Sequence, residues 1–357
     1  MDDVTLTIAG RQLSGWSAIS GITRGIERCP SDFDLEMTER YPTEFQDLIV
    51  QPGDTCEVYL GEDLVITGYV DRFAPAISAD RHSIRVSGRG KCADLVDCAA
   101  EWPGGQISGS NVLGIAQRLA KPYGITVSAG ASPGGSIPQF NIMLGETPFE
   151  IIERICRYRA LLAYDLPDGS LYLTSVGNGT AASGFVEGVN IETASATYTM
   201  DQRFSEYYAY LQSMDVLSDL GVGGNLIGKA FDTGVPRHRR RAIIAESGGG
   251  GTDVAIQRAK WESARRYGRS MQVELTTDSW RDSAGVLWTP NTQAPLSIPS
   301  LKIGDVTWLI GSVTYRLDEN GTHADLVIMP PQAFNPEPIL LQPFAADIPG
   351  GIGLAPR

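Results

Sequence analysis

The sequence predicts a β-rich α+β chain in which two β-rich stretches flank a small α/β unit. Three observations carry this expectation. Apolar and polar residues alternate through most of the first stretch, up to Gly88, with the period of half-buried strands. From residue 98 to about 175 the spacing changes to that of amphipathic helices. From about residue 176 the alternation returns and runs to a proline-rich end.

The elements follow in order. Val4, Leu6 and Ile8 alternate with Thr5 and Thr7, and Phe33, Leu35 and Met37 with Asp34 and Glu36. Cys56, Val58 and Leu60 run into Gly61-Glu62-Asp63, and Leu64 to Val70 follows, the pattern of a hairpin with a short polar turn. Ile84 and Val86 close a set of at least five short strands, which suits a small barrel or sandwich. Ser110 can cap a helix carrying Val112, Ile115 and Leu119 at i, i+3 and i+7, with Lys121-Pro122 ending it. Thr147-Pro148-Phe149-Glu150 is a stronger helix start, with Thr at the N-cap, Pro at N1 and Glu at N3. Phe149, Ile152 and Cys156 form its apolar stripe, and Asp168-Gly169 turns the chain into a strand, Leu171 to Thr174.

In the second half, Tyr207 to Leu211 alternates clearly, and Phe185, Val186 and Tyr198 more weakly. Thr252 caps a helix with Ile256, Ala259 and Tyr267 at helical spacing; Arg258, Lys260, Glu262, Arg265 and Arg266 read as its solvated face. Strands return at Met271 to Thr276, Trp308 to Ile310 and Ala324 to Ile328. Residues 330–357 hold seven prolines, which excludes a helix and suggests an extended arm. The expected organisation is 1–97 β, 98–175 α/β, 176–330 β with a helix inserted near 252–267, and a 331–357 arm.

At 357 residues, 42% hydrophobic and 20% charged, the chain is globular, with room for two or three domains of roughly 150 residues. The formal net charge of −13 argues against a general electrostatic hold on DNA and against anchoring on anionic lipid. No apolar run approaches the roughly 18 residues that span a bilayer, and Met1-Asp2-Asp3 lacks the basic start of a signal peptide. One dense basic run, Arg237-His238-Arg239-Arg240-Arg241, reads as a solvated or subunit-contact loop. Five cysteines (29, 56, 92, 98 and 156) without a CxxC do not make a secreted disulfide framework; Cys56 and Cys156 read as core residues.

Each catalytic pattern fails on a physical requirement. Gly130-Ala131-Ser132-Pro133-Gly134 matches the nucleophile elbow, but Pro133 lacks the N–H that an oxyanion hole needs, and no helix follows. Gly88-Arg89-Gly90-Lys91-Cys92-Ala93 is half a dinucleotide fingerprint without its βαβ partner, and reads as a strand-to-helix turn. His82, His238 and His323 stand alone, so no zinc spacing exists. Asn178-Gly179-Thr180 and Asn320-Gly321-Thr322 match the glycosylation sequon but read as turns. A structural protein is favoured over an enzyme.

Several segments resemble the baseplate hub proteins of Mu-like contractile-tailed phages, within the late control protein D and type VI spike-hub superfamily. They are Arg11 to Glu27, the run Val86 to Ala100 followed by Gly104-Gly105-Gln106, Arg203-Phe204-Ser205-Glu206-Tyr207, Leu287-Trp288-Thr289-Pro290-Asn291, and Ser312 to Pro330. The resemblance runs in order over about 330 residues and fades in the proline-rich end. It implies two similar small β-barrel domains with an α/β domain between them, and three copies in a ring. It implies a structural adaptor that joins a hexameric tail tube to a trimeric central spike, touches wedge or sheath-side proteins, and lines part of a DNA conduit without binding DNA specifically. It implies no catalytic residue, no cofactor, no metal and no membrane anchor. The implied location is the virion's tail baseplate, assembled in the host cytoplasm.

Assembly contacts are expected at Arg237, Arg239, Arg240 and Arg241, and at the apolar arm residues Phe334, Ile339, Leu340, Leu341 and Phe344. Two rivals are a hub-linked cell-wall-degrading enzyme, which would need a further lytic domain, and a carbohydrate-binding β module. The second would expose aromatic platforms, and only Trp102 and Trp280 sit in polar or turn-rich surroundings.

Overall fold

The computed structural model describes residues 3–8, 10–16, 18–38, 50–79, 82–177, 179–212, 225–245 and 252–337. The first stretch forms β1 (Val4–Ile8), β2 (Arg11–Leu13), β3 (Ala18–Gly25), β4 (Asp32–Thr38), β5 (Thr55–Leu60), β6 (Asp63–Ile77) and β7 (His82–Gly90). They pair antiparallel in the order β3-β4-β7-β6-β5-β1-β2. Their alternation is the one read from sequence: Val4, Leu6, Phe33, Leu35, Val58 and Leu60 are buried while their neighbours face out.

The middle unit contains α1 (Ala93–Asp97), β8 (Gln106–Ser110), α2 (Val112–Ala120), β9 (Val127–Ala129), β10 (Ile137–Asn141), α3 (Pro148–Cys156), β11 (Leu162–Asp165) and β12 (Leu171–Thr174). It has its own core, in which Leu95, Ile115, Leu119, Ile151 and Ile155 meet Leu171 and Leu173. Cys92 and Leu95 belong to this core, so α1 packs with the α/β unit. The capping box at α3 forms as expected. Thr147 Oγ1 accepts from the Glu150 amide at 3.2 Å, and Glu150 Oε2 accepts from the Thr147 amide at 2.9 Å. The cap of α2 is Asn111 rather than Ser110: Ser110 is still in β8, opposite Ile137, whereas Asn111 Oδ1 accepts from the Gly114 amide at 2.8 Å.

The remainder forms β13 (Phe185–Val186), β14 (Ile191–Tyr198), β15 (Glu206–Gln212), β16 (Asn225–Phe231), β17 (Arg240–Ala245), α4 (Thr252–Arg269), β18 (Met271–Thr277), β19 (Gln293–Ile298), β20 (Ile303–Asp318) and β21 (Gly321–Met329). The two β stretches are not separate bodies. β20 pairs with β3, placing Tyr315 opposite Ile22 and Val313 opposite Arg24, so a single 13-stranded sheet runs from β14 to β2. Among the described strands this sheet does not close into a barrel. Both halves share one core, in which Ile22, Phe33 and Ile66 join Phe185, Trp288, Ile310 and Tyr315. An unpaired edge on β3 would leave backbone N–H and C=O groups open, and β20 satisfies them.

The 176–330 stretch also divides. Strands β15, β16 and β17 form a separate three-stranded sheet in the order β16-β15-β17, and α4 covers one of its faces through Ala255 and Ala259. The charged face of α4 is less solvated than its composition suggests. Glu262 is only 8% exposed, and Arg266 Nε donates to it at 2.6 Å. The segment after β21 covers this face, a long-range contact that helical spacing does not encode.

The half-fingerprint at residues 88–93 is a strand-to-helix turn, β7 into α1, as the sequence suggested. Gly90 is required there by proximity: a Cβ would stand 2.6 Å from Asp165 Oδ2 of the α/β unit. Ser132 lies in a loop, and its Oγ accepts from the Gly134 amide. Asn320-Gly321 forms the β20–β21 turn; Asn178 lies outside the described residues. Trp280 is no sugar platform. It is 1% exposed, its Nε1 donates to the Arg316 and His323 carbonyls at 3.0 Å, and Trp102 is covered by the Arg118 guanidinium at 4.1 Å.

Candidate assembly surfaces

The basic run occupies the β16–β17 connection and the start of β17. Its entry is pinned by a largely buried ion pair in which Arg203 Nε and Nη2 each donate to Asp232 at 2.9 Å. Repulsion among the arginines is relieved within the chain. Arg239 donates to the Met200 and Asp201 carbonyls at 2.6 and 2.7 Å and lies over Phe204 at 4.8 Å. Arg240 donates to Glu206 Oε2 at 2.7 Å and stacks on Tyr208 at 4.3 Å. Arg241 and Arg266 also face the Phe204 ring, at 5.8 and 5.4 Å. The carboxylate beside Arg240 holds its guanidinium pKa above the usual arginine value. Arg237 is exposed, without an ion-pair partner among the described residues. The fold therefore gathers Arg239, Arg240 and Arg241 at one sheet edge and leaves Arg237 in the loop.

The same sheet has an open face. The β15–β16 and β15–β17 registers set Tyr208 and Tyr210 beside Ile227, Lys229, Phe231 and Ile244, opposite to the face that α4 covers. Ile244 is 88% exposed and Phe231 61%. On edge strand β17 Arg240 lies along this face over Tyr208, whereas Arg241, opposite Tyr207, belongs to the face that α4 covers.

The arm begins by docking on its own chain. Phe334 is 3% exposed, packed with Ile26, Leu162, Tyr164 and Leu309, and its ring lies where a Cβ on Gly311 would come within 2.5 Å. A stripe on α4 holds the following backbone. Trp261 Nε1 and Arg265 Nη1 donate to the Asn335 carbonyl at 3.0 and 2.6 Å, Arg269 Nε donates to the Ala333 carbonyl at 3.2 Å, and Arg258 pairs with Glu337. Glu27 joins from the first β stretch, accepting from Arg265 at 2.9 Å and Arg269 at 2.6 Å. A cleft of ≈ 240 Å³ remains where these parts meet, lined by Ile26, Phe149, Leu162, Trp261, Pro336 and Glu337 among others. Of the five arm residues expected as external contacts, Phe334 is thus consumed internally. The other four, Ile339, Leu340, Leu341 and Phe344, lie outside the described residues.

The sequence reading missed Glu27, Trp261 and Arg269 as anchors. Arg258, Trp261, Arg265 and Arg269 recur every three to four residues on α4, a signal that was present, but of the four only Arg258 and Arg265 were read, as part of a solvated face.

Among the described residues no group of three His, Cys, Asp or Glu side chains is arranged to hold a metal. What the chain presents is a three-stranded sheet with an arginine-lined edge and an arm whose start is clamped on α4. Comparison with known proteins gives the class: a phage tail protein. The chain belongs to the baseplate hub protein family of Mu-like phages. It is 32% identical to baseplate hub protein gp44 of Escherichia phage Mu over 340 residues, 93% of this chain and 88% of that protein. Residues 3–90 match the N-terminal domain of the Mu phage baseplate assembly protein GpP-like family, and residues 92–175 the second domain of the baseplate hub protein gp44-like family. Residues 251–337 match the fourth domain of the Mu phage baseplate assembly protein GpP. The 43 kDa tail protein of prophage MuSo2 from Shewanella oneidensis superposes with a TM-score of 0.83 at 30% identity, covering 93% of this chain and 99% of that one. A tail protein from Neisseria meningitidis MC58 shares the fold with a TM-score of 0.75 at 22% identity, covering 96% and 99%.

Proposed function

We propose that three copies of this chain close into the hub of a contractile-tail baseplate, a structural adaptor between the hexameric tube and the trimeric central spike. The observation that carries this reading is the β3–β20 seam, which welds the two β stretches into one plate. In a trimer, the two halves of each plate would present six units to a six-fold tube. Wedge or sheath-side proteins would meet the outer surface. The net charge of −13 per chain supports a conduit that repels phosphate, so that DNA passes without sticking. The work is mechanical, with no catalytic residue, cofactor or metal. The location is the virion's tail baseplate, after assembly in the host cytoplasm.

Arg237, Arg239, Arg240 and Arg241 serve a subunit or ring contact in this reading. Arginine suits bidentate pairing with carboxylates, and the chain carries 42 of them against 29 cationic residues. The segment beyond Glu337 reaches the spike or a neighbouring chain.

Native mass measurement tests the reading. Purified protein is expected at three times the 38.4 kDa chain mass, and a monomer that stays monomeric when mixed with its spike and tube proteins would overturn it. The variant with all four arginines changed to serine should lose assembly or its salt sensitivity; unchanged behaviour removes the arginine contact.

A further inference from the structure

We propose that the outer edge of β17 is a docking site for an extended partner strand in which carboxylates alternate with apolar residues. The proposal deepens the arginine contact of the hub reading by naming the partner's chemistry, and it rests on that reading only for there being such a contact. The geometry comes from the ladder. β17 pairs with β15 alone and is the last strand of its sheet. The Glu206 amide donates to the Arg239 carbonyl at 3.0 Å, and the Arg239 amide donates to Ser205 Oγ at 2.8 Å, so the backbone of residue 239 faces β15. Along a strand the backbone groups of successive residues point to alternate sides. Arg241 and Ile243 therefore also face β15, whereas Arg240, Ala242 and Ile244 turn their N–H and C=O groups outward. These three residues are exposed, and no described residue bonds to their outward groups.

An open edge is a template for another strand, and proteins blunt it with proline, bulges or very short strands. β17 has six residues, no proline and an unbroken register with β15. What it carries instead is positive charge. Like charges set opposite each other repel, so the edge disfavours a second β17 and accepts a strand of opposite sign.

The two faces of the edge ask for different side chains. On the open face, Ala242 and Ile244 lie beside Tyr208 and Tyr210, and Ile244 is 88% exposed. Apolar side chains of an added strand would cover them. On the α4 face, Arg241 precedes buried Ile243. Arg239 is already bonded to two carbonyls and Arg240 to Glu206. Arg241 lies 5.8 Å from the Phe204 ring, and no carboxylate pairs with it among the described residues. Successive residues of the partner point to opposite faces, so its pattern is apolar beside Ala242 and Ile244 and acidic beside Arg241. Main-chain bonds to the outward groups supply affinity, and the alternation supplies selectivity.

The test uses the full chain and a fluorescent peptide with blocked ends, Thr-Val-Glu-Val-Glu-Val-Thr; the control peptide has Lys in place of Glu. Anisotropy should show the acidic peptide binding, more weakly as salt rises, and the basic one not binding. Arg241→Ser should weaken binding about two- to fivefold, the worth of one partly exposed ion pair. Ala242→Pro should abolish binding and keep the wild-type melting temperature, because proline is tolerated on an edge strand where the N–H faces away from the sheet. Hydrogen exchange should show the Arg240, Ala242 and Ile244 amides slowed by the peptide, and those of Arg241 and Ile243 slow with or without it. If Ala242→Pro does not fold, this exchange pattern decides in its place. No binding, equal binding of the basic peptide, or wild-type binding by Ala242→Pro would overturn the site. Slow exchange of all five amides before peptide is added would give the edge to a second copy and overturn the proposed partner. Native mass reads the hub separately: a trimer with fast outward amides that ignores the peptide overturns the edge alone, and a monomer that binds it overturns the trimer alone.

Discussion

Asp325 shows how one side chain on the second half of the sheet ties two strands and makes stability depend on pH. Burial alone would raise its pKa. Hydrogen bonds from Arg316 on β20 and from the Thr276 hydroxyl at 2.7 Å outweigh burial and hold the carboxyl below its ordinary value. A depressed folded pKa means a contribution that is present above the unfolded value and lost as pH falls through the folded one. Asp325→Asn should therefore flatten the acid limb of an unfolding curve measured below about pH 4 and change stability less steeply there than the wild type. An unchanged slope would mean that the pair is solvent-screened, since Asp325 is half-exposed. Phe334 makes the contrasting point for apolar groups. It is buried against Gly311 and Ile26, and Phe334→Ala should cost about 3–5 kcal/mol in urea unfolding.

The arm and α4 form one structural element although their sequences give opposite impressions. The arm looks like an extended appendage, yet its first seven residues lie on α4. A Cβ on Gly268 would come within 2.3 Å of the Ala333 amide nitrogen, so the helix is shaped to admit them. Two truncations separate the halves of the arm. Ending the chain after Pro331 removes Phe334, Asn335 and Glu337 and should lower both melting temperature and solubility. Ending it after Glu337 should leave both near wild type and, in the proposed hub, weaken only attachment to the spike or a neighbouring chain. Calorimetry on the two proteins reads the difference. Equal destabilisation would assign the distal arm to the fold as well.

Over the whole molecule, the seam between β3 and β20 joins residues that lie some three hundred positions apart in the chain. Ile22, fully buried on β3, touches a core that includes Tyr315 and Val313 from the far half. Ile22→Ala should cost about 2–5 kcal/mol and lower hydrogen-exchange protection on β20 and β21 as much as on β4. Loss confined to the first stretch would show that the halves unfold independently.

The sequence by itself determined the local elements and their class. The alternation of Val4 to Ile8, the hairpin around Gly61 and the capping box at Thr147 each depend on residues a few positions apart, so periodicity and capping chemistry suffice to find them. The ordered run of hub-like segments likewise pointed to the family from residues alone. Tertiary structure decided what depends on distant partners. It decided that the two β stretches share one sheet and core, that the charged face of α4 is a cradle for residues 333–337, and that the arginines at 239–241 rest on Phe204, Tyr208 and Glu206. In each case the local pattern admits several partners. The choice is made by which strand edge must be paired and which apolar surface covered, and those are set only when the whole chain closes.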